Sequence, residues 1–225
     1  MNNITVIKED LTEEILVKHL SACNVFNEEN EEISGFLSVD CEMMGLNPRR
    51  DRLCLVQMCD ENNNVTLLQI LAEQNSAPNL KKLLEHPKVS KIFHFARADM
   101  AFLQYHLDIA VNPVFCTKIA SKLARTYTEG HGLKSITKEF LSIELNKYQQ
   151  SSDWGKDKLS NEQMEYAASD VLHLIKLKDI LVQMLEREGR LELAQECFKQ
   201  IYLMSKLDLL GFQNVFEHNS GNVSK

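Results

Sequence analysis

Apolar and polar positions alternate over several short stretches in the first half of the chain, and this period of two predicts β-strands. Two of these stretches, residues 52–60 and 64–70, are separated by polar residues typical of a turn, so together they predict a hairpin. The predicted strands are residues 35–42, 52–60, 64–70, 89–95 and 114–117.

Apolar residues recur at helical spacing near the N-terminus and over almost the whole chain after Thr117. The predicted helices are residues 11–22, 79–86, 97–107, 118–127, 131–140 and a long stretch, 159–204, in which Gly189 predicts a break. Strands first, then strands interleaved with helices, then a helical tail indicate an α/β or α+β fold with helices packed on a central sheet.

The composition is that of an ordinary soluble globular protein, with 44% hydrophobic and 25% charged residues in 225. No apolar run reaches the roughly 18 residues of a transmembrane helix, and the acidic N-terminus lacks the apolar core of a secretory signal. The six cysteines have no spacing typical of structural zinc, and a chain of this size needs no disulfide scaffold. We therefore expect reduced thiols in a cytoplasmic protein without a membrane segment.

The formal net charge of −7 restricts the partners that we expect. Proteins that bind long nucleic acids usually carry a basic surface, because neutralisation of phosphates drives their affinity. If the substrate is a nucleic acid, we expect it to be short, or its phosphates to be bound by metal ions.

Two acids stand at the end of the first predicted long strand without a basic neighbour. Asp40 and Glu42 are two residues apart, so both side chains lie on the same face of the strand. Like charges side by side at a buried strand end are unfavourable unless a cation lies between them. Oxygen-rich sites of this kind suit Mg²⁺ or Mn²⁺ better than zinc.

Two further acids are candidates for the same site. Asp99 lies at the start of a predicted helix, and Asp170 lies four residues after Tyr166, on the same face of another helix. Alternative explanations stay open for both, since Asp99 could favour the helix start electrostatically and Asp170 could pair with Lys176. Together the four acids could hold two metal ions about 3.5–4 Å apart, which act on both oxygens of a phosphodiester cleavage.

The stretches DCE (40–42), HFARAD (94–99) and YAASD (166–170) resemble the three motifs of the DEDD 3′→5′ exonucleases. The chain resembles the branch with Tyr four residues before the last Asp, which includes RNase D; the other branch has His where this chain has Glu165. The resemblance implies an RNase H-like (DnaQ-like) fold with a mixed central sheet flanked by helices and a helical C-terminal region. It also implies that the four acids hold the metals and that Tyr166 orients or deprotonates the attacking water. The chain departs from many relatives at Ala98, where they carry a larger residue.

Further segments, among them GLNPRRDRLCLVQ and QQSSDW, resemble the stand-alone nano-RNase C (NrnC) family from about residue 36 to residue 211. That resemblance implies degradation of very short RNA, dinucleotides above all, to mononucleotides, and assembly as a homo-oligomer, an octamer in that family. The predicted organisation is an N-terminal extension (1–32), an exonuclease domain (33–188) and a C-terminal helical tail (189–225).

Four side chains are candidates for substrate contact: Met43, Leu46, His94 and Trp154. The stretch DCEMMGL (40–46) also resembles the opening of oligoribonuclease, which implies that Leu46 wedges against the bases. Met43 could stack beside it, but both residues could equally pack in the core. His94 could contact a sugar or phosphate or be a structural residue. Trp154 belongs to the loop 146–155, which could close over a phosphate, although it could instead anchor a packed loop.

Other functions stay open at this point. A broader RNase D-like or DNA 3′→5′ exonuclease would use the same acids on longer substrates. A binding or assembly module that kept the fold and lost catalysis is a third hypothesis, which the intact set of acids disfavours.

Overall fold

The computed structural model describes residues 4–26, 33–146, 148–212 and 215–216. The strands are β1 (Ile4–Lys8), β2 (Gly35–Met43), β3 (Leu53–Asp60), β4 (Val65–Gln69), β5 (Val89–Phe93) and β6 (Val114–Cys116). The helices are α1 (Glu13–Ala22), α2 (Pro78–Leu84), α3 (Ala96–Leu107), α4 (Thr117–Ala124), α5 (Leu133–Leu141), α6 (Asn161–Leu172), α7 (Leu174–Arg187) and α8 (Leu191–Leu210).

The strands of the described part of the chain form one mixed sheet of six in the order β1-β4-β3-β2-β5-β6. Strands β2, β3 and β4 are antiparallel neighbours, whereas β1 runs parallel to β4, and β5 and β6 continue parallel to β2. The hairpin predicted from residues 52–70 is confirmed, and so is the mixed sheet flanked by helices of an RNase H-like fold.

Strand β1 was not among the predicted strands, because residues 1–32 were expected to form an N-terminal extension. Its five residues pair with β4 along the whole strand, and α1 packs against α2. Residues 4–26 therefore contribute a strand to the sheet and a helix to the layer packed on it. The boundaries at residues 32 and 188 stay a prediction.

The two faces of the sheet are covered unequally. The main hydrophobic core lies between one face and helices that include α2, α3, α4, α7 and α8, whereas α6 covers β3 and β4 on the other face. Along β2 the buried side chains of Leu37, Val39 and Cys41 belong to the main core. Because successive side chains of a strand alternate, Asp40 and Glu42 face the α6 side.

A buried hydrogen-bonded group fixes α1 to the hairpin of β3 and β4. The fully buried His19 bonds to Asp60 through Nδ1 and to Thr66 through Nε2, each at 2.9 Å. The Asp60 carboxylate also accepts from the backbone and side chain of Asn64. Burial raises the pKa of Asp60, but these hydrogen bonds lower it by more, so its pKa lies below the ordinary value.

The long helical stretch of the C-terminal half is three helices. The expected break lies at Gly189, whose positive φ of 63° suits glycine, and a second break at His173 separates α6 from α7. Helix α8 packs against α3, α4 and β6, so the C-terminal helix covers the core of the same body. Within the described ranges, no helix is both long and apolar enough to cross a membrane.

Candidate active site

The first two acids are placed by β2. Asp40 pairs with Gln57 of β3 across the antiparallel ladder, and the register shifts directly after Glu42. Bulges of this kind often end the pairing of strands next to functional sites. The pairing of β2 with β5 ends at Ser38, so residues 40–42 extend beyond that neighbour and are open to side chains from other elements.

Helix α6 supplies the third acid and the tyrosine. Its start is fixed by a capping box, in which Ser160 and Gln163 bond to each other's backbone N–H, and the Gln163 amide also bonds to the preceding loop. Four residues separate Tyr166 from Asp170, so the two share a face, and the Tyr166 hydroxyl is hydrogen-bonded to Asp170.

Three of the four predicted acids converge. One carboxylate oxygen from each of Asp40, Glu42 and Asp170 lies within 4.8 Å of the others. Asp99 is not one of this trio: it is buried in the first turn of α3 and accepts hydrogen bonds from its own N–H and from the N–H and thiol of Cys41. Its charge nevertheless acts strongly on Asp40, so it lies beside the trio.

Three of the four acids, Asp40, Glu42 and Asp99, resist ionisation. Burial raises the pKa of Asp40 well above its ordinary value, and the charges of Asp99, Glu42 and Asp170 raise it further. Burial and the charges of Asp170 and Asp99 raise the pKa of Glu42 to about 9. Burial raises the pKa of Asp99 to about 7. Without a cation, the site therefore holds protons that exposed carboxylates would have released at neutral pH.

The donor set fits a hard divalent cation. The trio offers only carboxylate oxygens, which Mg²⁺ and Mn²⁺ prefer, and has no nitrogen or sulfur ligand of the kind that favours zinc. A divalent cation would also compensate the mutual repulsion that raises these pKa values.

The acids open into a cavity of about 310 Å³. Its wall includes His94 and Phe95 from the turn before α3, Lys118 of α4, and the start of α5. A second cavity of about 430 Å³ adjoins it at Phe95 and is lined by Leu46. Of the four predicted substrate contacts, His94 and Leu46 thus lie on cavity walls.

Comparison with known proteins identifies the family. The model of a family described as 3′-5′ exonuclease matches residues 5–186, which is most of the chain. The chain belongs to this 3′-5′ exonuclease family. Ribonuclease D of Gluconacetobacter diazotrophicus is 32% identical over 157 residues, which cover 70% of this chain and 39% of that relative. The chain thus spans about two fifths of the length of the curated relatives it matches.

Solved structures of similar length extend the comparison. Brucella melitensis NrnC bound to pGG is 44% identical, with a TM-score of 0.84 over 97% of this chain and 100% of that one. The same protein with bound Mg²⁺ is 43% identical, with a TM-score of 0.83 over 96% of this chain and 100% of that one. The resemblance predicted from the three acidic motifs is therefore confirmed, including its NrnC-like form.

The other two predicted contacts of this member of the family do not lie on the walls of these two cavities. Trp154 is only 1% exposed and packs behind the tyrosine, with its ring 5.9 Å from that of Tyr166. Met43 is partly buried against the main core, since alternation along β2 places it on the same face as Val39 and Cys41, away from the acids. The structure favours the packing alternative for both residues.

Two residues that the sequence interpretation did not single out contact the acids. Cys41 donates both its N–H and its thiol to Asp99, and the Gln57 amide donates to Asp40. A signal for Gln57 was present, because a glutamine inside an apolar strand requires a polar partner. No comparable signal marked Cys41, because a cysteine in an apolar strand is usually a residue of the hydrophobic core.

Helix α8 fixes the turn that carries Asp99. Arg97 of α3 forms a two-pronged ion pair with Asp208 at 2.5 and 2.6 Å, and Ser205 donates to the Arg97 carbonyl at 2.9 Å. Both contacts hold the first turn of α3, two residues before Asp99. The C-terminal helix therefore supports the site, although it lies outside the matched family segment.

The raised pKa values of Glu42 and Asp99 predict how the metal-free protein responds to pH. Between the ordinary value of 4.5 and about 9, the Glu42 carboxyl keeps its proton when folded but loses it when unfolded. Its contribution to the free energy of unfolding therefore decreases as the pH rises through this window. A divalent cation should reverse the loss, because it binds the folded ionised site.

The measurement is thermal unfolding in EDTA at pH 5, 7 and 9, with and without Mg²⁺, for the wild type and Glu42→Gln. Other groups titrate in this range, including Lys91, whose pKa burial lowers to about 7, so the difference between the two proteins is the readout. We expect the melting temperature of Glu42→Gln to rise relative to the wild type as the pH increases in EDTA. A difference that stays constant from pH 5 to pH 9 would contradict the assignment.

Proposed function

We propose that this protein is a 3′→5′ exoribonuclease that degrades very short RNA, dinucleotides above all, to nucleoside 5′-monophosphates with two divalent metal ions. The observation that carries the proposal is the convergence of Asp40, Glu42 and Asp170 within 4.8 Å, beside Asp99 and against the Tyr166 hydroxyl. Such a set of acids matches the needs of phosphodiester hydrolysis.

Asp40, Glu42, Asp99 and Asp170 would hold Mg²⁺ or Mn²⁺. When bound, two such ions lower the pKa of a water molecule and stabilise the charge that develops on the phosphate and the leaving oxygen. The protein's part is to keep these carboxylates in place without a cation, although their charges repel each other.

Tyr166 would position the attacking water. Burial and the nearby charge of Asp170 raise the pKa of its phenol, and the hydroxyl is hydrogen-bonded to that carboxylate. These observations favour a neutral phenol that orients the water over one that removes its proton. Trp154 packs behind the Tyr166 ring and would support this position.

The cavity walls offer complementary contacts for a short nucleotide. Among the residues that the structure describes, Lys118 and Lys134 line the wall, and the first N–H groups of α5 lie beside them, an arrangement that favours phosphate. Leu46, 92% exposed, and Phe95, 47% exposed, give apolar surface for a base. The Thr117 hydroxyl donates to the carbonyl of Phe93, so it accepts a hydrogen bond from Nδ1 of His94. A neutral His94 therefore carries its proton on Nδ1.

Three observations support a short substrate. The similar NrnC structure is described as bound to pGG, a dinucleotide. The net charge of −7 is unfavourable for a long polyanion, and the cavity at the acids is small.

The remaining parts of the proposal rest on resemblance. A homo-oligomer, an octamer as in the NrnC family, would bring further residues to the cavities. Location in the cytoplasm is supported by six cysteines that are all free thiols. The second candidate function is a broader RNase D-like activity on longer RNA, which the 32% identity to a ribonuclease D favours.

A length series separates the two functions. Purified protein with Mg²⁺ is incubated with end-labelled RNA of two to seven nucleotides and with a tRNA 3′ end. We expect the dinucleotide to be consumed fastest and nucleoside 5′-monophosphates to be released. A heptamer or tRNA that is processed as fast as the dimer would support the broader activity instead.

Asp40→Asn is the matched test of the chemistry in that assay, because it removes a charge and keeps the shape of the side chain. We expect loss of measurable hydrolysis with the fold intact. The control is Glu186→Gln, an exposed acid of α7, which should behave like the wild type. Hydrolysis by Asp40→Asn at the wild-type rate would overturn the metal mechanism.

Tyr166→Phe tests the role of the hydroxyl. The ring that packs against Trp154 is kept, so we expect normal folding and KM but a kcat lower by about a hundredfold, the scale of a lost proton-handling or water-orienting group. Tyr105→Phe, at a half-exposed tyrosine of α3, is the control. An unchanged kcat in Tyr166→Phe would remove the assigned role.

A further inference from the structure

Gln57 is a fully buried polar side chain in the middle of β3, a strand whose residues are all buried. The antiparallel register places it directly opposite Asp40, on the face where the acids lie. A buried amide that lacks hydrogen bonds destabilises a protein by about 1–3 kcal/mol. The identity of its partners therefore shows what the residue contributes.

The partners of the Gln57 amide nitrogen are the two acids of β2. Nε2 lies 3.2 Å from Asp40 Oδ2 and 3.5 Å from Glu42 Oε1. Among the residues that the structure describes, Oε1 of Gln57 has no hydrogen-bond partner. The amide orientation suits the ionised acids that bind a cation, because the opposite orientation would bring its oxygen against two carboxylates.

An amide donor is well suited to this position. It offers the positive end of its dipole to both carboxylates, yet it is neutral and cannot compete with a cation as a lysine would. It also restricts the side-chain torsions of Asp40 and Glu42 before any metal binds. Gln57 is not on the cavity wall, so any effect on catalysis must pass through the acids.

We propose that Gln57 is a positioning residue, which holds Asp40 and Glu42 in the arrangement that binds divalent cations. The proposal rests on the metal-dependent function proposed above and adds a residue to it. Hydrogen-bonding partners of metal ligands typically change metal affinity by about 10- to 100-fold. Gln57 is expected to act in that range.

The neighbouring strand provides a matched control. Gln69 of β4 is also buried, but its Nε2 donates to the carbonyl of Lys156, away from the acids. The same substitution can be made at both positions. Gln→Met keeps the length of the side chain and removes its hydrogen bonds.

The test compares wild type, Gln57→Met and Gln69→Met, each stripped of metal. Binding of Mn²⁺ alone is followed by electron paramagnetic resonance of the free ion. We expect Gln57→Met to bind Mn²⁺ about 10- to 100-fold more weakly than the wild type, and Gln69→Met to bind like it. In the dinucleotide assay, the Mg²⁺ concentration for half-maximal rate should rise in Gln57→Met while the substrate KM at saturating Mg²⁺ stays unchanged.

A Gln57→Met variant that binds Mn²⁺ as tightly as the wild type would overturn the inference. An equal loss of Mn²⁺ affinity in both variants would also overturn it, because it would indicate a merely structural role. If the wild type itself fails to bind Mn²⁺, the proposed function fails instead, so the two failures are distinguishable. If Gln57→Met does not fold, a crystal structure of the wild type with Mg²⁺ decides. Gln57 Nε2 should remain within hydrogen-bonding distance of Asp40 or Glu42, and an amide turned away from both would contradict the proposal.

Discussion

Electrostatic repulsion among partly and fully buried carboxylates is the constraint on which this structure depends. Asp40, Glu42 and Asp170 lie within 4.8 Å of one another, with Asp99 beside them. Burial and mutual charge raise the pKa values of Asp40 and Glu42 far above those of exposed acids. An arrangement that is unfavourable by itself is retained in a stable fold when a ligand compensates it, here a divalent cation.

The rest of the fold holds these acids against their repulsion. The register of β2 and β3 brings Gln57 opposite Asp40, and the capping box of α6 sets the face that carries Tyr166 and Asp170. Cys41 and the ion pair between Arg97 and Asp208 fix the turn that carries Asp99. The acids thus come from three elements, each held by contacts of its own.

Sequence spacing predicted the parts of the site that lie within one element. A separation of two places Asp40 and Glu42 on one face of a strand, and a separation of four places Tyr166 and Asp170 on one face of a helix. The parts that depend on pairing between distant elements could not be predicted in this way. The register of the strands decides the hydrogen-bonding partner of Gln57, and the packing of helices decides the partner of Asp208. Packing also buries Trp154, which the sequence had suggested as a substrate contact. Strand β1 was missed although residues 4–7 are β-branched, because residues 1–32 were interpreted as an extension and only the pairing with β4 joins them to the sheet.

The most direct test of the account is the location of metal ions in a crystal. Crystals of the wild-type protein soaked with Mn²⁺ would be measured at a wavelength where manganese scatters anomalously. We predict two anomalous peaks about 3.5–4 Å apart, bound by oxygens of Asp40, Glu42, Asp99 and Asp170. Saturated crystals without a peak among these four carboxylates would contradict it.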